Sequence, residues 1–344
     1  MVYLIDPVTE KYGHHLVYLN SLLKISGTKA LQMNVDTKRI KPNFLTVIKY
    51  YNAIRRQLKA VPKGNIAHLL YADIYYKIPF LSSGVLKRNK TIATIHSCPR
   101  GKLKHWLMKN FCKRLSAVVV HSEYIKEQME SMGVMNVYYI DYPSFYDYSG
   151  ILSKDDLKER ENIKSTDIVF SALGGIRSDK GLDILLDACK HMDEEHKNRM
   201  VLNVAGREGF LTVQQVDKFC QENGIRAHLT IRPLTDKEFQ ENVEMSDYIV
   251  MPYRCRMTGN SGPMTEAIVR RIPSIVPENG NLGYIAQRYH VGLTFKVEDS
   301  VDLARVICEA MDEHYICSAE YSTKLEESTF VEKHKELYRK ILKC

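Results

Sequence analysis

Two stretches of the sequence combine glycine, hydroxyl and charge in patterns suited to holding a phosphate. The first runs Phe170-Ser171-Ala172-Leu173-Gly174-Gly175-Ile176-Arg177-Ser178-Asp179-Lys180-Gly181 and leads into the apolar-periodic Leu182–Ala188. Paired glycines let the backbone turn tightly and leave space beside it. Arg177 brings a fork of donors and Lys180 a point charge, both suited to phosphate oxygens. A strand-to-helix turn whose cations simply face solvent fits the same residues. The second stretch extends from Met251 to Val269 and contains Gly259-Asn260-Ser261-Gly262-Pro263-Met264-Thr265-Glu266. Pro263 suits the start of a helix, and Ser261 or Asn260 suits its cap. Backbone N–H groups at Ser261, Gly262 and Met264, aided by the helix dipole, would then form an anion site. Glu266 reads as a first-turn residue whose carboxylate can accept two hydroxyls of a ribose. The plainer reading is a carboxylate that offsets the dipole; the preceding Asn-Ser-Gly-Pro and the following apolar run Pro273–Val276 favour binding.

The elements that must position these loops are strands alternating with helices. Apolar, β-branched runs at Val2–Ile5, Ile66–Leu70, Thr91–Ile95 and Ala117–Val120 are followed by Ile168–Ala172, Val201–Ala205, Leu229–Ile231, Tyr248–Met251 and Ser274–Val276. Helical spacing separates most of them, as at Leu182–Met192, Val213–Asn223 and Met264–Arg270. Such alternation implies parallel sheets covered on both faces, an α/β doubly wound architecture. The strand signal lapses between Tyr142 and Lys164, which places a domain boundary there: 1–160 with a C-terminal helix at 329–344, and 161–328. A closed eight-stranded barrel would need no such break. In open parallel sheets the ligand sits beyond the carboxyl ends of the strands, where both glycine loops lie.

Composition narrows the class. With 344 residues, 44% hydrophobic and 26% charged, the chain is long enough for two cored domains and excludes a disordered or fibrous protein. Residues 1–150 hold 22 Lys and Arg against 9 Asp and Glu, a net of +13, whereas the remainder has 27 against 32, a net of −5. No run approaches the roughly 18–20 apolar residues needed to span a bilayer, and Met1–Asp6 turns polar early for a signal-peptide core. A cytoplasmic location follows as the expectation. The eight cysteines show no C-x-x-C pair, so reduced thiols packed as small hydrophobes are expected, and no metal site. Neither G-x-G-x-x-G, nor G-x-x-x-x-G-K-[ST], nor a D-x-D triplet occurs.

Taken in order, the motifs of the second half resemble the nucleotide-binding domain of a GT-B glycosyltransferase, most similar to the retaining glycosyltransferase family 4 of bacterial polysaccharide type. The matching pieces are the Gly175-x-Arg177-x-x-Lys180-Gly181 turn, Leu202–Gly206, Pro233–Glu238, Ser246–Pro252, Ser261-Gly262-Pro263-x-x-Glu266-Ala267 and Asn279–Gly283. The resemblance implies two Rossmann-like domains facing a cleft, with the C-terminal helix crossing back to the first. It implies that Arg177 and Lys180 hold the diphosphate of a sugar nucleotide, catalytic in that they stabilise the leaving group. Gly175 forms the turn beside them. Ser261 and Gly262 would donate N–H groups to the same diphosphate, Glu266 would bind the ribose, and Arg232 and Leu234 would bracket the base. The family's first glutamate, eight positions before the second, is replaced by Thr258, so Thr258, Gly259 and Asn260 would meet the donor sugar differently. In the first half, Tyr12-Gly13-His14-His15 resembles the family's glycine loop under the donor diphosphate, and His96 resembles its strand-end histidine facing the reacting sugar. A lone strand-end histidine is otherwise a structural residue.

The implied activity is retaining, metal-independent transfer of a hexosyl group from an NDP-sugar, UDP-linked, to a glycan or lipid-linked acceptor in polysaccharide biosynthesis, with no further cofactor. An NDP-sugar epimerase of the same fold and a catalytically idle glycan-binding or scaffold protein are the alternatives. Positive charge gathers on two helix candidates, Leu45–Val61 and Lys102–Leu115. The second places Leu103, Trp106, Leu107 and Phe111 along one stripe among Lys102, Lys104, Lys109, Lys113 and Arg114. Such a helix can lie peripherally on an anionic leaflet at the inner membrane face, or pack on the core with a solvated basic side. Nucleic-acid binding is not expected, since no aromatic platform or helix-turn-helix accompanies the charge.

Overall fold

The computed structural model describes residues 1–6, 14–32, 44–77, 83–255 and 259–343, with residues 14, 32, 44–47, 49, 50, 74, 77 and 83 described by their backbone alone. Gly13 and Thr258 lie outside the described residues. The chain divides into two compact units, Met1–Phe145 with Glu326–Cys344, and Tyr146–Leu325.

Among the described residues the first unit holds one six-stranded sheet. Its strands are β1 (Val2–Asp6), β2 (Thr28–Gln32), β3 (Ile66–Leu69), β4 (Lys90–Ile95), β5 (Ala117–Val120) and β6 (Val137–Tyr139), ordered β2-β1-β3-β4-β5-β6 and parallel throughout. Every residue of β3 and of β5 is buried, as a strand covered on both faces requires. One face packs on Ile54, Leu58, Met108, Phe111, Ile125 and Met129. The other packs on Tyr18 and Leu22 and on Phe330, Leu337, Tyr338 and Ile341 of the C-terminal helix Glu327–Lys343. Ion pairs pin the first two turns of that helix. Lys24 Nζ lies 2.6 Å from Glu327, and Lys333 Nζ lies 2.8 Å from the buried Asp141.

The second unit repeats the plan with β7 (Ile168–Leu173), β8 (Met200–Ala205), β9 (Ala227–Thr230), β10 (Tyr248–Val250), β11 (Ser274–Pro277) and β12 (Gly292–Phe295), ordered β12-β11-β10-β7-β8-β9. The register runs Ile168↔Met200 through Leu173↔Ala205, and Tyr248↔Phe170 on the other side of β7. The doubly wound α/β class is therefore present twice. Strand order reverses between β1 and β3 in one sheet and between β7 and β10 in the other. Connecting chains leave such a point in opposite directions, and the crevice they open receives ligands.

Two details differ from the expectation. The boundary lies at Phe145/Tyr146 rather than after residue 160, because the helix Lys154–Arg160 is already tied to the second unit. Lys154 and Lys158 reach Asp247 at 2.9 and 2.7 Å, and these ammonium groups outweigh desolvation to hold its carboxyl below the usual range. The returning segment likewise starts at Glu326 rather than 329, because Glu327 is anchored on Ser21 and Lys24 of the first unit. The expected strands omit β2, β6 and β12. All three border a sheet, where one side of the strand needs no apolar cover.

Candidate functional site

In the second unit the carboxyl ends of β7 and β10 bring the two glycine motifs together. Beyond β7, Gly174 adopts φ 101° and donates its N–H to Ala205 O at 2.8 Å. A Cβ at Gly174 would stand 2.8 Å from Lys180 Nζ, so the ammonium occupies the space that the missing side chain leaves. A short 3₁₀ turn, Ser178–Lys180, then hands the chain to the helix Leu182–Lys190 through Gly181, which is left-handed at φ 67°. A Cβ at Gly181 would lie 2.0 Å from Pro252 O. Glycine at 181 thus lets the β7 and β10 loops touch backbone to backbone. Gly181→Ala should lower the unfolding free energy by at least about 2 kcal/mol, from left-handed strain plus the clash. Urea unfolding measures this, and a loss below about 0.5 kcal/mol would contradict the close approach.

Tyr253 joins the motifs. Lys180 Nζ lies 5.1 Å from the centroid of its ring, and its hydroxyl bonds Ser261 Oγ at 3.0 Å. No acidic side chain pairs with Lys180 among the described residues. Arg177 is placed differently: its guanidinium forms a two-pronged pair with Asp179, both contacts at 2.9 Å, which raises its pKa further. Arg254 pairs in the same way with Asp183, at 3.0 and 2.6 Å, and so fixes the β10 loop on the helix that follows the turn. Among the four groups Arg177, Lys180, Arg254 and Asp179, the charge left to meet an anion is the Lys180 ammonium.

Ser261 occupies the N-cap position of the helix Gly262–Val269 with Pro263 in the first turn, yet its hydroxyl does not cap. It turns instead to Tyr253 and to Met251 Sδ, so the Ser261 hydroxyl leaves the backbone N–H groups of the helix start to other partners. Glu266 lies in the second turn, not the first, because the helix begins four residues earlier at Gly262. It is buried, and Oε2 accepts the Tyr148 hydroxyl at 3.2 Å. Its carboxylate is therefore oriented rather than an exposed partner for the dipole. The Asn281 side-chain amide donates to the Asn260 side chain at Oδ1, 2.5 Å, and to the Gly259 backbone carbonyl at 3.4 Å. Gly175 sits beside Arg207 with ordinary van der Waals room for a Cβ, 3.9 Å from Arg207 O. Arg232 is exposed and paired with Glu238 at 2.5 Å, in the capping box that opens the helix Asp236–Glu244. Leu234 packs half-buried against the core together with Tyr148 and Phe239. Tyr148, Tyr253 and Asn281 were not singled out from sequence. Tyrosine and asparagine beside glycine loops carry no spacing signal; only the fold shows them touching the motif residues.

In the first unit Asp6, Tyr71, His96 and His121 gather at the carboxyl ends of β1, β3, β4 and β5, with His15 at the start of the helix His14–Leu23. His15 Nδ1 meets Asp6 Oδ1 at 3.2 Å, and the His15, Tyr71 and His96 rings stack in series at 3.6 and 4.2 Å. Tyr71 is left-handed at φ 51°, a conformation a bulky residue holds only under constraint, here supplied by a ring on each side. Asp73 accepts the N–H groups of His96 and Ser97 at 3.0 and 2.9 Å and so fixes the end of β4. The His96 ring lies beneath Tyr71, and its Nε2 is sealed with no partner among the described residues. Burial first, then the nearby His15, lowers its pKa to about 3, so His96 is a neutral imidazole. His121 is fully used: Nδ1 bonds Ile140 O at 2.7 Å, and Nε2 then accepts from the Tyr18 hydroxyl at 3.1 Å.

A family model described as glycosyl transferases group 1 matches residues 153–329. No curated protein matches the sequence. Among solved structures, sucrose-phosphate synthase from Thermosynechococcus elongatus superposes with a TM-score of 0.75 at 14% identity, covering 99% of this chain and 98% of that one. HepE from Anabaena, solved in complex with UDP-glucose, superposes with a TM-score of 0.69 at 12% identity over 98% of this chain and 99% of that one. A glycosyltransferase from Rickettsia africae gives 0.69 at 13% identity, covering 99% and 98%. These likenesses extend over the whole chain and show its fold.

Proposed function

The chain belongs to the group 1 glycosyl transferases and has the GT-B fold, and from that premise we propose that its second unit holds the diphosphate of a UDP-sugar against Lys180, Tyr253 and the start of the helix Gly262–Val269. The observation that carries this reading is Tyr253, which seats an ammonium over its ring and a motif serine on its hydroxyl at the strand-order reversal of the second sheet. The UDP-glucose bound by HepE supports the choice of donor class.

The chemistry follows from where charge develops. As the bond between the sugar's anomeric carbon and the diphosphate oxygen breaks, negative charge grows on the leaving diphosphate. A preorganised cation and N–H groups at a helix start stabilise that charge more than the ground state. Arg177 would swing from Asp179 to the phosphate, exchanging one two-pronged pair for another. Glu266, oriented by Tyr148, would accept ribose hydroxyls. Thr258, Gly259 and Asn260 would face the donor sugar, with Asn281 fixing the last two. Arg232 and Leu234 would bracket the base through backbone and apolar contact.

The reading extends to a hexosyl group transferred with retention, with no metal or further cofactor, to a glycan or lipid-linked acceptor in polysaccharide biosynthesis at the cytoplasmic membrane face. The acceptor hydroxyl attacks the face from which the diphosphate departs, and its proton passes to the leaving oxygen. The neutral His96 ring suits contact with an uncharged sugar, not proton donation near neutral pH.

Thermal melts against UDP, GDP, ADP and dTDP test the reading. A ligand that binds only the folded state raises the melting temperature by mass action. UDP should raise it most; a larger rise with another nucleotide would reassign the base, and no rise with any would overturn nucleotide binding.

A further inference from the structure

The helix Lys102–Cys112 in the first unit buries one face and leaves the other with an unusual composition. Met108, Phe111 and Cys112 point into the core, while Leu103 is 69% exposed and Trp106 is 61% exposed. Residues three apart are neighbours on a helix, so Leu103 and Trp106 form one apolar patch on the outward side. Lys102 and Lys109 lie four residues before and three after Trp106, and Lys113 follows one turn beyond, so cations flank the patch. No acidic side chain pairs with any of the three among the described residues. The loop after the helix Glu123–Ser131 extends the surface. Gly133 sits against Lys109 Nζ, and Asn136 bonds Cys112 O, so Met135, 79% exposed, stands between these two contacts to the same helix.

We propose that this patch docks the protein on an anionic lipid bilayer, with Trp106, Leu103 and Met135 entering the headgroup boundary and Lys102, Lys109 and Lys113 meeting lipid phosphates. Charge complementarity selects the occupant. The first unit carries 27 Lys and Arg against 12 Asp and Glu, a net of +15, which opposes an acidic surface. An indole amid lysines matches the interfacial pattern of a helix lying in the membrane plane. Among the described residues no helix is long and apolar enough to cross a membrane, so attachment through this patch is at the surface. The inference deepens the lipid-linked-acceptor reading but rests on the surface alone, and its test reads no sugar transfer.

Trp106 is the only tryptophan in the chain, so intrinsic emission reports directly on the patch. Full-length protein is titrated with vesicles of phosphatidylglycerol and phosphatidylcholine, and separately with phosphatidylcholine alone. On the anionic vesicles the emission should shift to the blue, be quenched by brominated acyl chains, and revert in 0.5 M salt as screening removes the attraction. The K102Q/K109Q/K113Q variant should partition at least tenfold more weakly while keeping its melting temperature. Emission unmoved by anionic vesicles, as a patch meant for an acidic protein would give, overturns the proposal. So does an equal shift on neutral vesicles, or undiminished partitioning of the triple variant.

Discussion

Replacing Lys180 by alanine is expected to lower kcat/KM by about two to three orders of magnitude, the usual cost of one preorganised donor at a developing oxyanion. The size of the effect follows from how the ammonium is held. It fills the space above Gly174 and lies over the Tyr253 ring, with no carboxylate partner among the described residues. Removing it therefore breaks no ion pair and leaves no buried charge unpaired, so the melting temperature should stay within about 2 °C of wild type, the shift of well under 1 kcal/mol. Lys180→Arg should recover only part of the loss, because a planar guanidinium does not replace a compact ammonium above the glycine. Steady-state kinetics with a UDP-sugar donor check this. Activity of Lys180→Ala within threefold of wild type would remove the lysine from the reaction.

The second large effect concerns acid. The first unit buries His68, His121 and His334 completely and half-buries His96 among Tyr18, Tyr71, Phe330 and Tyr338. Burial, the dominant cause at each, lowers His96, His121 and His334 to about 3 and His68 well below its ordinary value. In the unfolded chain each would titrate near 6.5. The folded state thus binds fewer protons below pH 6.5. Stability is complete above that pH and falls by roughly 1.4 kcal/mol per pH unit for each histidine until the folded value is reached. His121 and His334 alone remove about 5 kcal/mol between pH 6.5 and 4.5, comparable with the whole stability of a domain. Calorimetry should show a first-unit transition that collapses between pH 6.5 and 5. His334→Leu, which removes a ring whose Nε2 has no partner among the described residues, should flatten that slope. Equal transitions at pH 7.5 and 5 would show that the histidines are not held neutral.

How far the sequence carried these conclusions depended on physical context. A central strand such as Ala117–Val120 is buried on both faces and reads as an unbroken apolar run, and Val201–Ala205 does so but for the buried Asn203. The strands at the sheet margins, Thr28–Gln32, Val137–Tyr139 and Gly292–Phe295, need apolar cover on one side only and left no such run. The two glycine motifs were legible as strand-to-helix turns because glycine and proline punctuate the chain there. Their side-chain partners were not. Asp179 engaging Arg177, Glu238 engaging Arg232 and Tyr253 receiving Ser261 depend on rotamers and on contacts across the fold. Glu266 was placed in the first turn by counting from Pro263; the helix begins one residue earlier, at Gly262, which carries Glu266 into the second turn. The stripe of Lys102–Leu115 was read as one face. The structure splits it, sending Phe111 to the core and Trp106 to the surface.

Calorimetric titration of UDP into wild-type protein and into Lys180→Ala and Tyr253→Phe tests the donor site most directly. Saturable one-to-one binding by wild type should weaken at least tenfold in Lys180→Ala, and less in Tyr253→Phe, which keeps the ring under the ammonium and loses only the bond to Ser261. UDP binding of equal strength in all three proteins, or in none, would contradict a diphosphate site built on Lys180 and Tyr253.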